Sequence, residues 1–132
     1  MNNNDIKLKV LIVTFSDDIY KFHYALTLAS TLSAIEKKVS IFISGYACNY
    51  IRKDWEQYTS NEIVNKFIEK KMPSLKELFE YCNDLNVNLY FCETALNFLD
   101  IKKSNLIKSI QLKPLGMYSI LNEHKRDQLV FI

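Results

Sequence analysis

Residues 88–99, NLYFCETALNFL, carry the reading of this chain. Asn88 to Phe91 have the aromatic and aliphatic character of a short buried strand, and Glu93, Ala95, Leu96, Phe98 and Leu99 suit a helix. Between the two stands Cys92. A thiol at a strand-to-helix turn faces the unpaired N–H groups of the first helical turn, which stabilise its anion. The stretch predicts a thiol site at the C-terminal edge of a parallel sheet.

The flanking sequence extends the same alternation. Upstream, Ser74 with Glu77 three residues later has capping-box spacing, and Leu75, Leu78, Phe79, Cys82 and Leu85 recur on one helical face. Asn86 is the helix stop. Further back, residues 8–15 (LKVLIVTF) and 39–44 (VSIFIS) are near-continuous β-branched and aliphatic runs, the mark of strands covered on both faces. A helical stripe at Ile19, Phe22, Leu26, Ala29, Leu32 and Ile35 joins them, with Ser16 or Asp17 as its cap, so the pair forms a right-handed βαβ unit. Tyr20, Tyr24 and Leu28 add a second apolar flank, suited to a covering loop or a subunit contact.

Residues 47–60 read as an irregular, partly helical connection. Asn61 caps a helix with Ile63, Val64, Phe67 and Ile68 on its apolar face. After the Cys92 helix, a short helical turn ends near Ile107. Residues 109–112 read as a fourth strand broken by Pro114 and Gly116, 117–125 as helix, and 128–132 as a fifth strand. Five alternations of strand and helix predict an α/β fold, a three-layer α/β/α sandwich with a five-stranded, mostly parallel sheet.

Size and composition narrow the function classes. A chain of 132 residues and 15.5 kDa supports one hydrophobic core, so residues 8–132 are expected to form one domain behind a loose tail at 1–7. With only two glycines, Asn, Asp, Ser and Lys must occupy turns that glycine usually fills. The net charge of +2 is dispersed, and no basic stripe of the kind nucleic acid requires is present. There is no basic signal-peptide start and no apolar run approaching the roughly 20 residues of a membrane span, so a cytoplasmic protein is expected. In the 50–71 segment, Asp54, Glu56, Glu62 and Glu69 interrupt the basic character that peripheral membrane binding would use.

In such a sheet the C-terminal strand ends open on one edge, where ligands bind. That edge collects Ser16-Asp17, Ser44-Gly45, Cys92-Glu93 and Leu115-Gly116. Cys92 is its strong nucleophile, with Ser16, Asp17, Ser44, Gly45, Glu93 and Gly116 as the supporting pocket. A small buried hydrophobe is the competing reading of Cys92. Cys82 lies on an apolar helix face and reads as core filling. Cys48, three residues past Gly45, has two readings: a surface or semi-buried residue without a role, or a second thiol that resolves a mixed disulfide on Cys92. His23 reads as a core or interface histidine and His124 as a solvated residue near a helix end. Asp17 and Asp18 are explained by helix capping without Mg²⁺. Absence of GxGxxG and GxxxxGK[ST] removes a dinucleotide fingerprint and a P-loop, and no His pair or Cys–His pair has metal spacing. Neither metal nor cofactor is expected.

The sequence resembles the DsrE/DsrF/DsrH-like family, in particular its peroxiredoxin-like or DsrE-like branch. The resemblance runs from about Lys9 to Ile132 and rests on LIVTFSDDIYKFHYALTLAST, on VSIFISGY, and above all on MPSLKELFEYCNDLNVNLYFCETALNFLDIKKSNLI. It implies a small α/β/α domain that assembles as trimers or hexamers. It also implies that a cysteine at the Cys92 position takes sulfur as a persulfide from one protein thiol and passes it to another. Asp100 stands where that pattern usually has glycine, and Glu36-Lys37-Lys38 replaces a segment that normally includes one. The leading expectation is therefore a sulfur carrier or sulfurtransferase-like protein with donor and acceptor protein partners. A non-enzymatic oligomeric scaffold or regulatory domain, and a thiol peroxide reductase using Cys92 with Cys48, are the alternatives.

Overall fold

Every residue after the first in β1 (Lys9–Thr14) and in β2 (Lys38–Ile43) is buried. That is why both read as unbroken aliphatic runs rather than alternating ones. The computed structural model describes residues 8–132, and the tail expected at 1–7 lies outside the described residues. The two strands run parallel, from Lys9 beside Lys38 to Thr14 beside Ile43, with α1 (Ile19–Ala34) as their crossover.

Four further helices and three further strands complete the order. After β2 come two 3-10 segments (Gly45–Ile51 and Trp55–Tyr58), α2 (Asn61–Glu69), α3 (Leu75–Asp84) and β3 (Asn88–Phe91). Then follow α4 (Glu93–Phe98), a 3-10 turn (Lys103–Asn105), β4 (Leu112–Pro114), α5 (Met117–Glu123) and β5 (Gln128–Phe131). The sheet order is β4-β3-β2-β1-β5, and all four pairings are parallel. The fold is thus α/β, with a five-stranded sheet that is wholly parallel.

The core fills both sides of the sheet. On one face α1 packs on α3: the rings of Phe22 and Phe79 lie 5.9 Å apart, and the Cys82 thiol donates to the Leu26 carbonyl at 3.7 Å. On the other, α5 buries Ile120 completely, and the His124 ring meets that of Tyr90 at 6.3 Å. Tyr90 lies between Leu89 and Phe91 along β3, so these neighbours serve the opposite face.

The scarcity of glycine shows at the helix ends. α1, α2, α3 and α4 each close with a residue in the left-handed region: Glu36 (φ 71°), Lys71 (57°), Asn86 (61°) and Asp100 (56°). Each end carries the paired hydrogen bonds of a Schellman motif, for example Glu36 N–H to Ser33 O and Lys37 N–H to Leu32 O. At α4 the same pair is Asp100 N–H to Asn97 O and Ile101 N–H to Leu96 O. The positions where the chain departs from the glycine-containing pattern are therefore turns that favour glycine.

Several expected details are corrected. The cap of α1 is Asp18, which accepts from Tyr20 and Lys21 N–H, rather than Ser16 or Asp17. The cap of α2 is Ser60, which accepts from Glu62 N–H, rather than Asn61. α1 begins at Ile19, where its apolar stripe starts, and α2 begins at Asn61; in each the capping oxygen belongs to the residue directly before the first helical one. The capping box of Ser74 and Glu77 forms as expected. The fourth strand is Leu112–Pro114 rather than 109–112. It is an edge strand, where a proline at the end forfeits no inner ladder bond, and Leu115 N–H resumes the pairing with Phe91 O. The turn at Lys103–Asn105 stops before Ile107, and α5 ends at Glu123 rather than residue 125. Ile35 and Leu85 are helix caps and exposed, so they leave their expected apolar stripes. On α2 only Phe67 is buried, and Ile68 is 68% exposed. His124 is paired with Asp127 at 2.6 Å and mostly buried, not solvated.

Candidate thiol site

Cys92 stands at the end of β3, where its backbone N–H donates to Ile43 O at 3.0 Å and its carbonyl accepts the first bond of α4 from Leu96 N–H. It occupies the N-cap position, but its side chain makes no capping hydrogen bond. The expected hold of the first-turn N–H groups on the sulfur is therefore not made, and α4 has only six residues. Cys92 is buried, at 9% exposure, and packs among the residues of the core, as its reading as a small buried hydrophobe requires.

The neighbouring strand ends are tied to this turn through the ladder. Ser44 is buried, its N–H and its hydroxyl both donating to Thr14 O, at 2.9 and 2.8 Å. Thr14 itself is 2% exposed, and its hydroxyl oxygen finds no hydrogen-bond partner among the described residues. Gly45 has φ +51°, and a Cβ there would fall 2.3 Å from the Phe15 ring. The backbone favours glycine at this position, and the close approach of that ring leaves a Cβ no room unless the ring shifts. On the outer side, Leu115 N–H donates to Phe91 O, which brings the 115–116 turn beside the end of β3; Gly116 caps α5.

The remaining expected site residues take structural parts. Ser16 accepts from Asp18 N–H, and the Asp17 carbonyl accepts from the Tyr50 hydroxyl. Burial, followed by the charge of Asp17, raises the Tyr50 pKa above its ordinary value. Glu93 is exposed and pairs with Lys103 at 2.6 Å. His23 is buried, bonded through Nε2 to Pro73 O at 2.8 Å and stacked on Phe67, as expected of a core histidine.

Cys48 is fully buried, neither at the surface nor half-covered. It lies in the Gly45–Ile51 segment, which packs against α4. Its thiol donates to Ile43 O at 3.4 Å, the same carbonyl that accepts the Cys92 N–H. Burial pushes its pKa up to about 12; the Cys92 backbone N–H at its sulfur works in the other direction. The segment is clamped at both ends, by Ala47 N–H to Phe15 O and by Ile107 N–H to Ile51 O. Beyond it, Arg52 and Asn105 both donate to Asp54 Oδ1 at 3.0 Å, and the Arg52 bond in particular holds the Asp54 carboxyl below its usual range.

An exposed aromatic row beside the site escaped the sequence reading. Phe15 is 5.7 Å from Tyr46, which is 6.3 Å from Phe98, with rings edge to face. An aromatic residue directly after a buried strand run was the one available signal, and Phe15 reads equally well as the last residue of that strand. Clefts of about 520 Å³ (Trp55, Val64, Phe67, Ile68, Met72) and about 650 Å³ (Leu8, Lys9, Glu123, Arg126, Gln128) lie elsewhere. Among the described residues, no group of three or more His, Cys, Asp or Glu side chains is placed to hold a metal ion, and no helix is long and apolar enough to cross a membrane.

Five parallel strands with one crossover to the far edge, and a cysteine where the third strand meets its helix, define a small α/β protein with a thiol at the sheet edge. The chain belongs to the DsrE/DsrF-like family, which it matches over residues 9–130. Solved structures show the same fold at low identity. The ychN protein from E. coli has a TM-score of 0.66 at 14% identity, covering 96% of this chain and 100% of that one. The protein of unknown function MTH1491 from Methanobacterium thermoautotrophicum gives 0.64 at 12%, with coverages of 96% and 100%. BT1422 from Bacteroides thetaiotaomicron gives 0.65 at 13%, with 94% of each chain covered. No curated protein matches the chain.

Proposed function

We propose that this protein is a cytoplasmic sulfur carrier in which Cys92 accepts sulfur from a donor thiol as a persulfide and yields it to an acceptor. The observation that carries this reading is the position of Cys92 at the C-terminal end of β3, on the sheet edge, in a chain of the DsrE/DsrF-like family. Persulfide relay needs a reachable, ionisable thiol and a partner thiol, with no oxyanion hole or cofactor. The Ser44–Thr14 bonds and the Gly45–Phe15 contact hold the adjacent strand ends in place.

Incubation of the folded protein with glutathione persulfide is expected to add about 32 Da, one sulfur, to Cys92. Peptide mass spectrometry locates it, and Cys92→Ser is expected to take none at that site. Absence of the adduct from the folded wild type, or an unchanged intact-mass adduct in Cys92→Ser, would overturn the proposal.

The carrier is proposed to act as a homo-oligomer, a trimer or hexamer. Supporting this are the exposed Phe15, Leu129 and Phe131, at 48, 58 and 70% exposure. Val13 pairs with Phe131 and Leu11 with Leu129, which sets these side chains on one face of the sheet with Phe15. Contiguous apolar surface of this kind marks interaction sites. It equally serves a scaffold function, for which complex formation would be indifferent to Cys92→Ser.

A further inference from the structure

The carrier reading employs one thiol, yet the fold brings a second to the same peptide. Cys82 offers a contrast: it is also fully buried and pushed up to about 12 by burial, but its thiol contacts the α1 carbonyl of Leu26, inside the helical layer. Cys48 instead shares the Ile43 carbonyl with Cys92 and faces the Cys92 backbone N–H. Packing requires a small apolar group at each place. The convergence of two thiol residues on one carbonyl is particular to Cys48.

We propose that Cys48 is the discharging thiol of the carrier: it attacks the inner sulfur of a Cys92 persulfide, closes a Cys48–Cys92 disulfide and expels the outer sulfur as hydrosulfide. The inference rests on the carrier reading. In balance, Cys92–S–S⁻ and Cys48–SH give Cys92–S–S–Cys48 and HS⁻. The bond broken joins the two persulfide sulfurs, and the bond formed joins the two cysteine sulfurs. The Cys48 proton leaves on the expelled sulfur, and the outer persulfide sulfur is itself the oxidant, reduced as the two thiols are oxidised. No external oxidant is needed.

The surroundings set the tempo of this step. Cys48 is 0% exposed, so it cannot compete with Cys92 for an external sulfur donor. Its thiol is held protonated at neutral pH by burial, and thiolate is the attacking form, so discharge is slow there and quickens as the pH rises. Slow discharge leaves time for an acceptor protein; without one the carrier empties itself. The clamped ends of Gly45–Ile51 keep Cys48 close to the end of β3.

The test begins with protein loaded by glutathione persulfide, freed of donor, and followed by non-reducing peptide mass spectrometry and a sulfide probe. Loss of the added sulfur is expected to coincide with a linked Cys48–Cys92 peptide and one equivalent of sulfide. The adduct should persist about tenfold longer in Cys48→Ala, and wild-type decay should accelerate between about pH 7 and pH 9. Should Cys48→Ala fold poorly, the linked peptide and the sulfide yield from wild type decide alone. Loading followed by decay without the linked peptide overturns this inference and leaves the carrier reading standing. Failure of Cys92 to load overturns the carrier reading, and the inference with it.

Discussion

Two thiols raised by burial, Cys48 and Cys82, make the folded chain sensitive to alkali. Burial pushes each to about 12, whereas the unfolded chain ionises them near 9.0. Between those values the folded state binds more protons than the unfolded one, so this contribution is complete below pH 9 and is lost as the pH climbs toward 12. The slope reaches up to about 1.4 kcal/mol per pH unit for each thiol. Urea denaturation at pH 8 and pH 10 is expected to show a smaller loss of stability in Cys82→Ala than in wild type; equal losses would remove Cys82 from the account. Thr14 presents the opposite case, a buried hydroxyl without a partner among the described residues. Thr14→Val keeps the shape, removes the orphan group and is expected to stabilise the chain by about 1 kcal/mol, read from the urea midpoint. A lowered midpoint would mean that the hydroxyl is satisfied in solution.

At the scale of elements, four helices end on non-glycine residues with φ between 56° and 71°. A side chain in this region crowds the following carbonyl, at a cost of about 1 kcal/mol. Glu36→Gly and Asp100→Gly are each expected to raise stability by about that amount, with Asn86→Gly giving less because asparagine tolerates the region better. Thermal unfolding of the single variants checks this, and a fall in midpoint for both would show that the side chains make compensating contacts. Gly45→Ala works in the other direction: it is strained by φ +51° and by the Phe15 ring together.

For the whole molecule, the sheet is covered unevenly. One face carries α1 and α3, while the other carries the seven-residue α5 and leaves Leu129 and Phe131 exposed beside Phe15. An isolated chain with so much apolar surface at one sheet face is expected to associate. Light scattering on the native protein should give a mass three or six times that of the 15.5 kDa chain. Phe131→Asp should shift the population toward the monomer, and a wild-type mass of one chain would sink the proposed assembly.

Sequence alone determined the alternation of strands and helices, the parallel character of the sheet and the place of Cys92 at its edge. Local signals suffice for these: LKVLIVTF and VSIFIS are apolar on both faces, Ser74 and Glu77 form a capping box, and NLYFC runs directly into helical residues. The exact cap, Asp18 instead of Ser16 or Asp17, and the edge strand at Leu112–Pro114 were decided by hydrogen-bond geometry. Tertiary structure alone decided that Cys48 is buried against the end of β3, that Thr14 lacks a partner among the described residues, and that Phe15, Tyr46 and Phe98 meet. Each depends on side chains far apart in the chain, and the order β4-β3-β2-β1-β5 is what brings their segments to one edge. Periodicity reports which way a residue faces, whereas the neighbour it meets there is set by how the strands are ordered.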